Sequence, residues 1–224
     1  PSGMYAYNWQ TGEYENNDGD VVSWSEVQAN NYEEPEKKKD KKDKKNKIAI
    51  DPGHGAHHDE NSQIDPGAVN GTDYEKDIAL SISNKVTSVL KEKGYIVVQT
   101  RTGDVEGAGE KLQWRVTKAE GNDIFVSIHL NSNANSSANG FEVYYKPGDN
   151  SSKSLAQSIQ DKNTLLRSRG IKSANYKVLR NFGGTAVLVE VGFISNANDL
   201  RIIKANIDKI GTQIASGIIG YLGQ

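Results

Sequence analysis

Hydrophobic positions are spread unevenly along the 224 residues, and from residue 48 onward they fall into short apolar runs alternating with helical periodicity. Ile48-Ala-Ile50 reads as a strand stopped by Asp51-Pro-Gly. A loop rich in Gly, Asn and Asp follows. The spacing of Ile78, Ile82, Val86, Val89 and Leu90 then predicts a helix over 75–93, ended by Gly94. Residues 95–99 form a strand pattern, and 109–120 reads as helical. The runs at 123–129 and 186–191 are apolar on both faces, as in buried central strands, and 140–145 is a further strand. Leu155, Ile159 and Leu166 share one stripe of a helix over 151–167. A short strand is expected at 176–179, then helices over 196–204 and 207–222, the last aligning Ile207, Ile210, Ile214 and Ile218. Strands alternating with helices predict an α/β fold whose central sheet is covered by helices on both faces.

The first 47 residues do not share this pattern. Residues 1–36 carry eight acids and no Lys or Arg, residues 37–47 carry eight Lys and two Asp, and residues 48–224 hold 19 basic and 19 acidic residues. A neutral domain argues against nucleic acid held on a broad basic face. No apolar run approaches the roughly 18 residues of a membrane span. No signal peptide is visible, and the chain starts at Pro1 without a Met, as a processed or a trimmed chain would, which leaves a lost export signal open. The absence of Cys removes disulfides, thiol nucleophiles and Cys-ligated metal. Residues 1–32 hold six of the thirteen Tyr and Trp residues, and Tyr5-Ala-Tyr-Asn-Trp9 before Gln-Thr-Gly reads as a strand and turn. This segment is too short for its own core and reads as an acidic aromatic arm, the alternative being the end of a preceding wall- or sugar-binding module. Residues 33–46 read as a Lys-rich linker kept solvated by like charge. The main domain is then 47–224.

Candidate chemistry lies where the strands end, as expected for an open α/β sheet. The first strand ends in Asp51-Pro-Gly-His54-Gly, the 123–129 strand in His129-Leu-Asn131, and the 186–191 strand carries Glu190. Two imidazoles and one carboxylate make a catalytic zinc set that leaves a position for water. A second carboxylate is then needed to take the proton. His54, Glu75 and His129 fit as ligands and Glu190 as base. Glu190 is flanked by Val187-Leu-Val and Val191, and an ionised carboxylate in a buried strand is costly without a partner. Glu75 stays open at this level, since an acid in a first helical turn is favoured by the helix dipole whatever its function.

Taken together, Ile50-Asp-Pro-Gly-His-Gly55, Asp65-Pro-Gly-Ala68, Glu75-Lys-Asp77, Thr100-Arg101, Leu112 with Arg115, Phe125-Val-Ser-Ile-His-Leu-Asn131, Gly140-Phe-Glu-Val-Tyr-Tyr145 and Val187-Leu-Val-Glu-Val-Gly-Phe-Ile-Ser-Asn196 follow one order. Over 47–222 the chain resembles the zinc-dependent N-acetylmuramoyl-L-alanine amidases of the amidase-3 family, which are bacterial and phage peptidoglycan hydrolases. The resemblance implies one domain with a mostly parallel sheet of about six strands. It implies Zn2+ held by His54, Glu75 and His129, with Glu190 as catalytic acid/base, and Asn131 and Arg115 are expected at the substrate. The implied partner is peptidoglycan, acted on by a monomer at the cell wall, as a secreted enzyme or a phage lysin. The rival readings are a zinc peptidase cutting within the stem peptide and a non-catalytic peptidoglycan-binding domain. His57 and His58 lie in a loop longer than the family pattern and are expected to be exposed. Thr185 and Glu120 also depart from it, and no autoinhibitory helix is expected between Tyr145 and Tyr176.

Overall fold

The structure, a computed structural model, describes residues 6–8, 13–15, 20–23, 46–57, 63–106 and 112–223. The chain divides into two compact units, 1–44 and 45–224. In the first, β1 (Ala6–Asn8), β2 (Glu13–Glu15) and β3 (Val21–Val22) form an antiparallel sheet with Tyr7 opposite Tyr14 and Tyr14 opposite Val22. The strand expected at 5–9 lies here, with Tyr5 and Trp9 outside the described residues. The Lys-rich tract also falls outside them up to residue 45.

The second unit is built on six strands. β4 (Lys47–Pro52), β7 (Ile96–Gln99), β8 (Ile124–Asn131), β9 (Phe141–Tyr145), β10 (Ser168–Ser173) and β11 (Thr185–Phe193) lie in the order β10-β9-β11-β8-β4-β7. All neighbours are parallel except β9 with β11. A small hairpin of β5 (Val69–Asn70) and β6 (Asp73–Tyr74) stands apart and leads into α1 (Glu75–Glu92). Strand β4 is followed by α1 and β7 on one side, and the chain then returns through α2 (Gln113–Ala119) to β8 on the other side. The carboxyl ends of β4 and β8 therefore flank a topological switch point, where such sheets bind ligands.

The two faces of the sheet are covered unequally. Ile48 and Ile50, Val126 and Ile128, and Val187 and Val189 point to one face. There they meet Ile82, Val86 and Leu90 of α1, Leu155 and Ile159 of α3 (Asn150–Gln160), and Ile210, Ile214 and Ile218 of α6 (Ile207–Leu222). Alternate residues point the other way. Ala49, Phe125, Ala186 and Leu188 are covered there by the seven residues of α2, the five of α4 (Lys177–Asn181) and Phe182 just after it, whose ring lies 5.4 Å from that of Phe125. Two short helices cover the first half of these strands. Asp51 and Ser127 lie level with Leu188 and are sealed by Arg115 of α2, and His129 and Glu190, one row further along, lie past that apolar cover. α5 (Ala197–Ala205) packs beyond the end of β11, capped by the Asn196 side chain, which accepts from the amides of Asn198 and Asp199.

Two elements differ from the sequence pattern. The helix expected over 151–167 ends at Gln160, because Asn163 organises a turn: its amide donates to the Leu166 carbonyl at 2.7 Å and its oxygen accepts from the Leu166 amide at 3.2 Å. Leu166 is buried from that turn rather than from a helix. The strand expected at 176–179 is instead the helix α4, whose Val178 and Leu179 are buried. The sixth strand is β10, an edge strand carrying Arg169 and Lys172 and a single aliphatic residue, Ile171. Charged residues suit an unpaired edge and erase the apolar alternation that marks a strand. Among the described residues no helix is long and apolar enough to cross a membrane.

Candidate metal centre

His54 follows β4 in a left-handed conformation, with φ of 56°, the one described non-glycine residue with positive φ. Such a conformation costs about 1–2 kcal/mol and persists only where its surroundings hold it. Two buried arginines do so. Arg101 donates to the carbonyls of Pro52 (3.0 Å), Gly53 (2.8 Å) and, from α1, Lys76 (2.7 Å). Arg115 donates to the Pro52 carbonyl at 2.7 Å, to the His54 carbonyl, and to the buried Asp51 carboxylate at 2.8 Å. Asp51 also accepts from Thr100 (2.6 Å) and Ser127 (2.7 Å). Burial pushes the Asp51 carboxyl up, but the Arg115 charge and these hydrogen bonds outweigh it and hold it below the usual carboxylate range.

Three side chains from separate elements then converge. The His54 ring donates or accepts through Nδ1 with Asp65 Oδ2 at 2.6 Å, which leaves Nε2 3.1 Å from Glu75 Oε1. His129, at the end of β8, brings Nδ1 to 3.0 Å from the same oxygen. Glu75 is buried at the start of α1, and its carboxylate accepts from the Ala68 amide at 2.9 Å and the Leu130 amide at 3.0 Å. Desolvation raises the Glu75 carboxyl, and the bonds and charges of His129 and His54 overcome it, so it lies well below its ordinary value. The close approach needs glycine at two positions. A Cβ on Gly53 would overlap the His129 ring, and one on Gly67, whose φ is 68°, would meet both Glu75 and His54. The donor atoms of His54, Glu75 and His129 all lie within 4.8 Å of one another, a group able to hold a metal ion. Two imidazole nitrogens and a carboxylate oxygen, with one ring oriented by a second carboxylate, is a donor set that suits a borderline-soft divalent ion.

Glu190 lies beside this group. In the sheet it pairs with His129 on one side and Glu142 on the other, so the three side chains stand in one row on the open face. Its Oε2 is buried without a hydrogen-bond partner among the described residues. Burial, and then the charges of Glu75 and Glu142, push its carboxyl well above the ordinary value. A cleft lined by His54, His57, Leu112, His129, Lys177 and Leu188 opens beside the group.

Residues 48–220 match the N-acetylmuramoyl-L-alanine amidase family. The chain belongs to that family. LytC of Bacillus subtilis strain 168, an N-acetylmuramoyl-L-alanine amidase, is 38% identical over 183 residues, covering 78% of this chain and 35% of LytC. The chain thus spans about a third of the length of that relative. The amidase AmiC2 of Nostoc punctiforme superposes with a TM-score of 0.71 at 33% identity, over 80% of this chain and 98% of AmiC2. The catalytic domain of CwlV, from Bacillus (Paenibacillus) polymyxa var. colistinus, gives 0.69 at 35% identity, over 80% of this chain and 98% of that one. The six-stranded, mostly parallel sheet flanked by helices is the fold of these amidases.

Within the amidase domain, the donor atoms of His54, Glu75 and His129 come together, and Glu190 stands next to His129 on the neighbouring strand. Asn131 stands at the end of β8, its amide donating to Glu142 at 2.9 Å. Arg115, expected at the substrate, is largely buried, with its donors on Asp51 and the backbone of the His54 turn, and it lines the floor of the cleft beside His54 and His129. His57, expected to be exposed, is half-buried and bridges to Ile64 at the cleft wall, and His58 lies outside the described residues. Sequence reasoning passed over Asp51, Asp65, Arg101 and Glu142 as functional. Glu142 carried the same signal as Glu190, an acid between apolar strand residues, here Phe141 and Val143.

Proposed function

We propose that this amidase-family chain hydrolyses the amide joining the lactyl group of N-acetylmuramic acid to the L-alanine of the peptidoglycan stem peptide. His54, Glu75 and His129 hold zinc, and Glu190 is the acid/base. The observation that carries this reading is a three-donor group with a separate, half-buried carboxylate one strand away, beside His129, whose Oε2 is buried without a partner among the described residues. Zinc bound there supplies a Lewis acid that polarises water and a carbonyl.

The protein residues supply the rest. Asp65 holds the Nδ1 proton of His54, so that Nε2 presents its lone pair to the site. The Ala68 and Leu130 amides fix the Glu75 carboxylate. Arg101 and Arg115 act through the backbone, keeping the His54 turn in its strained conformation. Glu190 takes a proton from the attacking water, holds it through the tetrahedral stage and gives it to the departing amine. Asn131 is proposed to contact substrate from beside Glu142. The catalytic unit is 47–224, with 1–32 an arm and 33–46 a solvated linker, and the enzyme works on the cell wall outside the membrane. Residues 47–224 alone are expected to turn over, and inactivity of that folded segment would count against this division. Chelation should abolish release of stem peptides from sacculi and zinc should restore it. Full activity and stoichiometric zinc in His129→Ala would overturn the ligand assignment.

A further inference from the structure

A second charged constellation lies on the same open face, beyond Glu190. The buried Glu142 carboxylate gathers four donors. Oε1 accepts from Asn131 and from the Tyr144 hydroxyl, both at 2.9 Å, and Oε2 accepts from Arg169 at 2.6 Å and from the Lys172 ammonium. Burial raises the Glu142 carboxyl, but the bonds from Lys172, Arg169 and Tyr144 outweigh it and keep it ionised. One carboxylate thus faces two cations, and the cluster keeps an excess positive charge. Lys172 is the more open of the two, its side chain 39% exposed. It uses one of its three ammonium donors on Glu142 and lies over the Tyr144 ring, 5.9 Å from its centre. Tyr176 stands edge-on to Tyr144 at 5.2 Å, an aromatic wall beside the cation.

The sheet register orients this cluster to the reaction. His129, Glu190 and Glu142 stand in one row. The next row runs Ser127, Leu188, Tyr144, Lys172. Glu190 must hand its proton to the leaving nitrogen. With the metal donors on the β8 and β4 side of Glu190, the departing peptide is directed toward β9 and β10, and the acyl side toward the part of the cleft by His54, His57 and Leu112. Neighbouring residues across strands are about 5 Å apart, and two extended residues reach at most about 7 Å. The Lys172 ammonium reaches back to the Glu142 carboxylate, one strand from Glu190, so on this path a group on the second residue of the leaving peptide is within its reach.

We propose that Lys172, supported by Arg169 and Glu142, binds a carboxylate on the second residue of the stem peptide, which sets the direction of the substrate across the sheet and favours stems with that carboxylate free. This rests on the amidase reading. A carboxylate forms a charge-assisted bond with the ammonium, whereas a primary amide there brings no charge.

The test uses the full chain and two soluble MurNAc-peptides that differ only in a free carboxylate or a primary amide on the second residue. The expected kcat/KM preference for the carboxylate form is about 2–5-fold, the scale of a partly exposed ion pair, carried by KM and weakened by salt. Lys172→Met should remove the preference and Lys172→Arg should retain it, with melting temperature reporting folding. Equal turnover of both substrates by the unaltered protein overturns the proposal and leaves the amidase reading standing. So does Lys172→Met lowering both rates with the preference intact, the mark of a purely structural lysine. Cleavage of neither substrate by the zinc-loaded protein rejects the amidase reading and this proposal with it.

Discussion

Glu190 and Glu142 face one another across β11 and β9, and their surroundings drive them apart. Glu142 is saturated by four donors and stays ionised, while Glu190 has a buried oxygen with none and two negative neighbours. Two carboxyl groups pushed in opposite directions fit the proposed division of labour, in which Glu142 holds charge and Glu190 moves a proton. Glu190→Gln keeps the shape and removes the proton transfer. It should fold, keep its metal, and lose turnover by about 10²–10⁴-fold, read as kcat beside metal content. Loss of metal in that variant would make Glu190 a ligand. Asp51 offers a second test, through stability. Its carboxyl is held below the usual range in the folded state, so its contribution is present above the unfolded value near 3.9 and is lost as pH falls through the lowered one. Asp51→Asn leaves Arg115 buried against a neutral partner and should cost about 3–5 kcal/mol near neutral pH. In denaturant titrations the gap between the two proteins should narrow below about pH 4. A gap that widens with acid contradicts the assignment. At this scale Glu190 was legible because apolar neighbours make a charge conspicuous. Asp51 and Asp65 were not legible as supports, because their value lies in Arg115 and His54, 64 and 11 residues away.

At the scale of elements, the site exists because one face of the sheet is thinly covered. Helices α2 and α4 reach only the first half of β8 and β11, while α1, α3 and α6 seal the opposite face. That sealed side is tight. A Cβ on Gly217 of α6 would come within 2.5 Å of the Ile159 backbone in α3. Alanine gains about 1 kcal/mol of helix propensity over glycine, whereas overpacking a filled core costs about 1–3 kcal/mol. Gly217→Ala should therefore destabilise the domain, and a raised melting temperature would show that the helices can move apart. Helices α1 and α6 and the strands β4, β8 and β11 were legible because burial imposes a period on their apolar residues. Strand β10 and helix α4 were not. An edge strand needs no apolar alternation, and the two-residue run Val178-Leu179 fits a short strand as well as one turn of helix. The functional cost of that misreading was Lys172 and Arg169, which sit on the strand that went unseen.

At the scale of the whole molecule, chain order decides where the chemistry falls. The return from β7 past β4 to β8 opens a switch point, and His54, His129 and Glu190 come from three adjacent strands ending on the same side of it. The account therefore predicts one kind of cut, at the amide between the lactyl group and L-alanine, with the leaving amine at Glu190. Mass spectrometry of sacculi digested by the zinc-loaded protein tests this most directly. The predicted products are intact stem peptides with a free L-alanine amine and glycan strands with unsubstituted lactyl groups. Shortened stems, still attached to glycan through L-alanine, would contradict it.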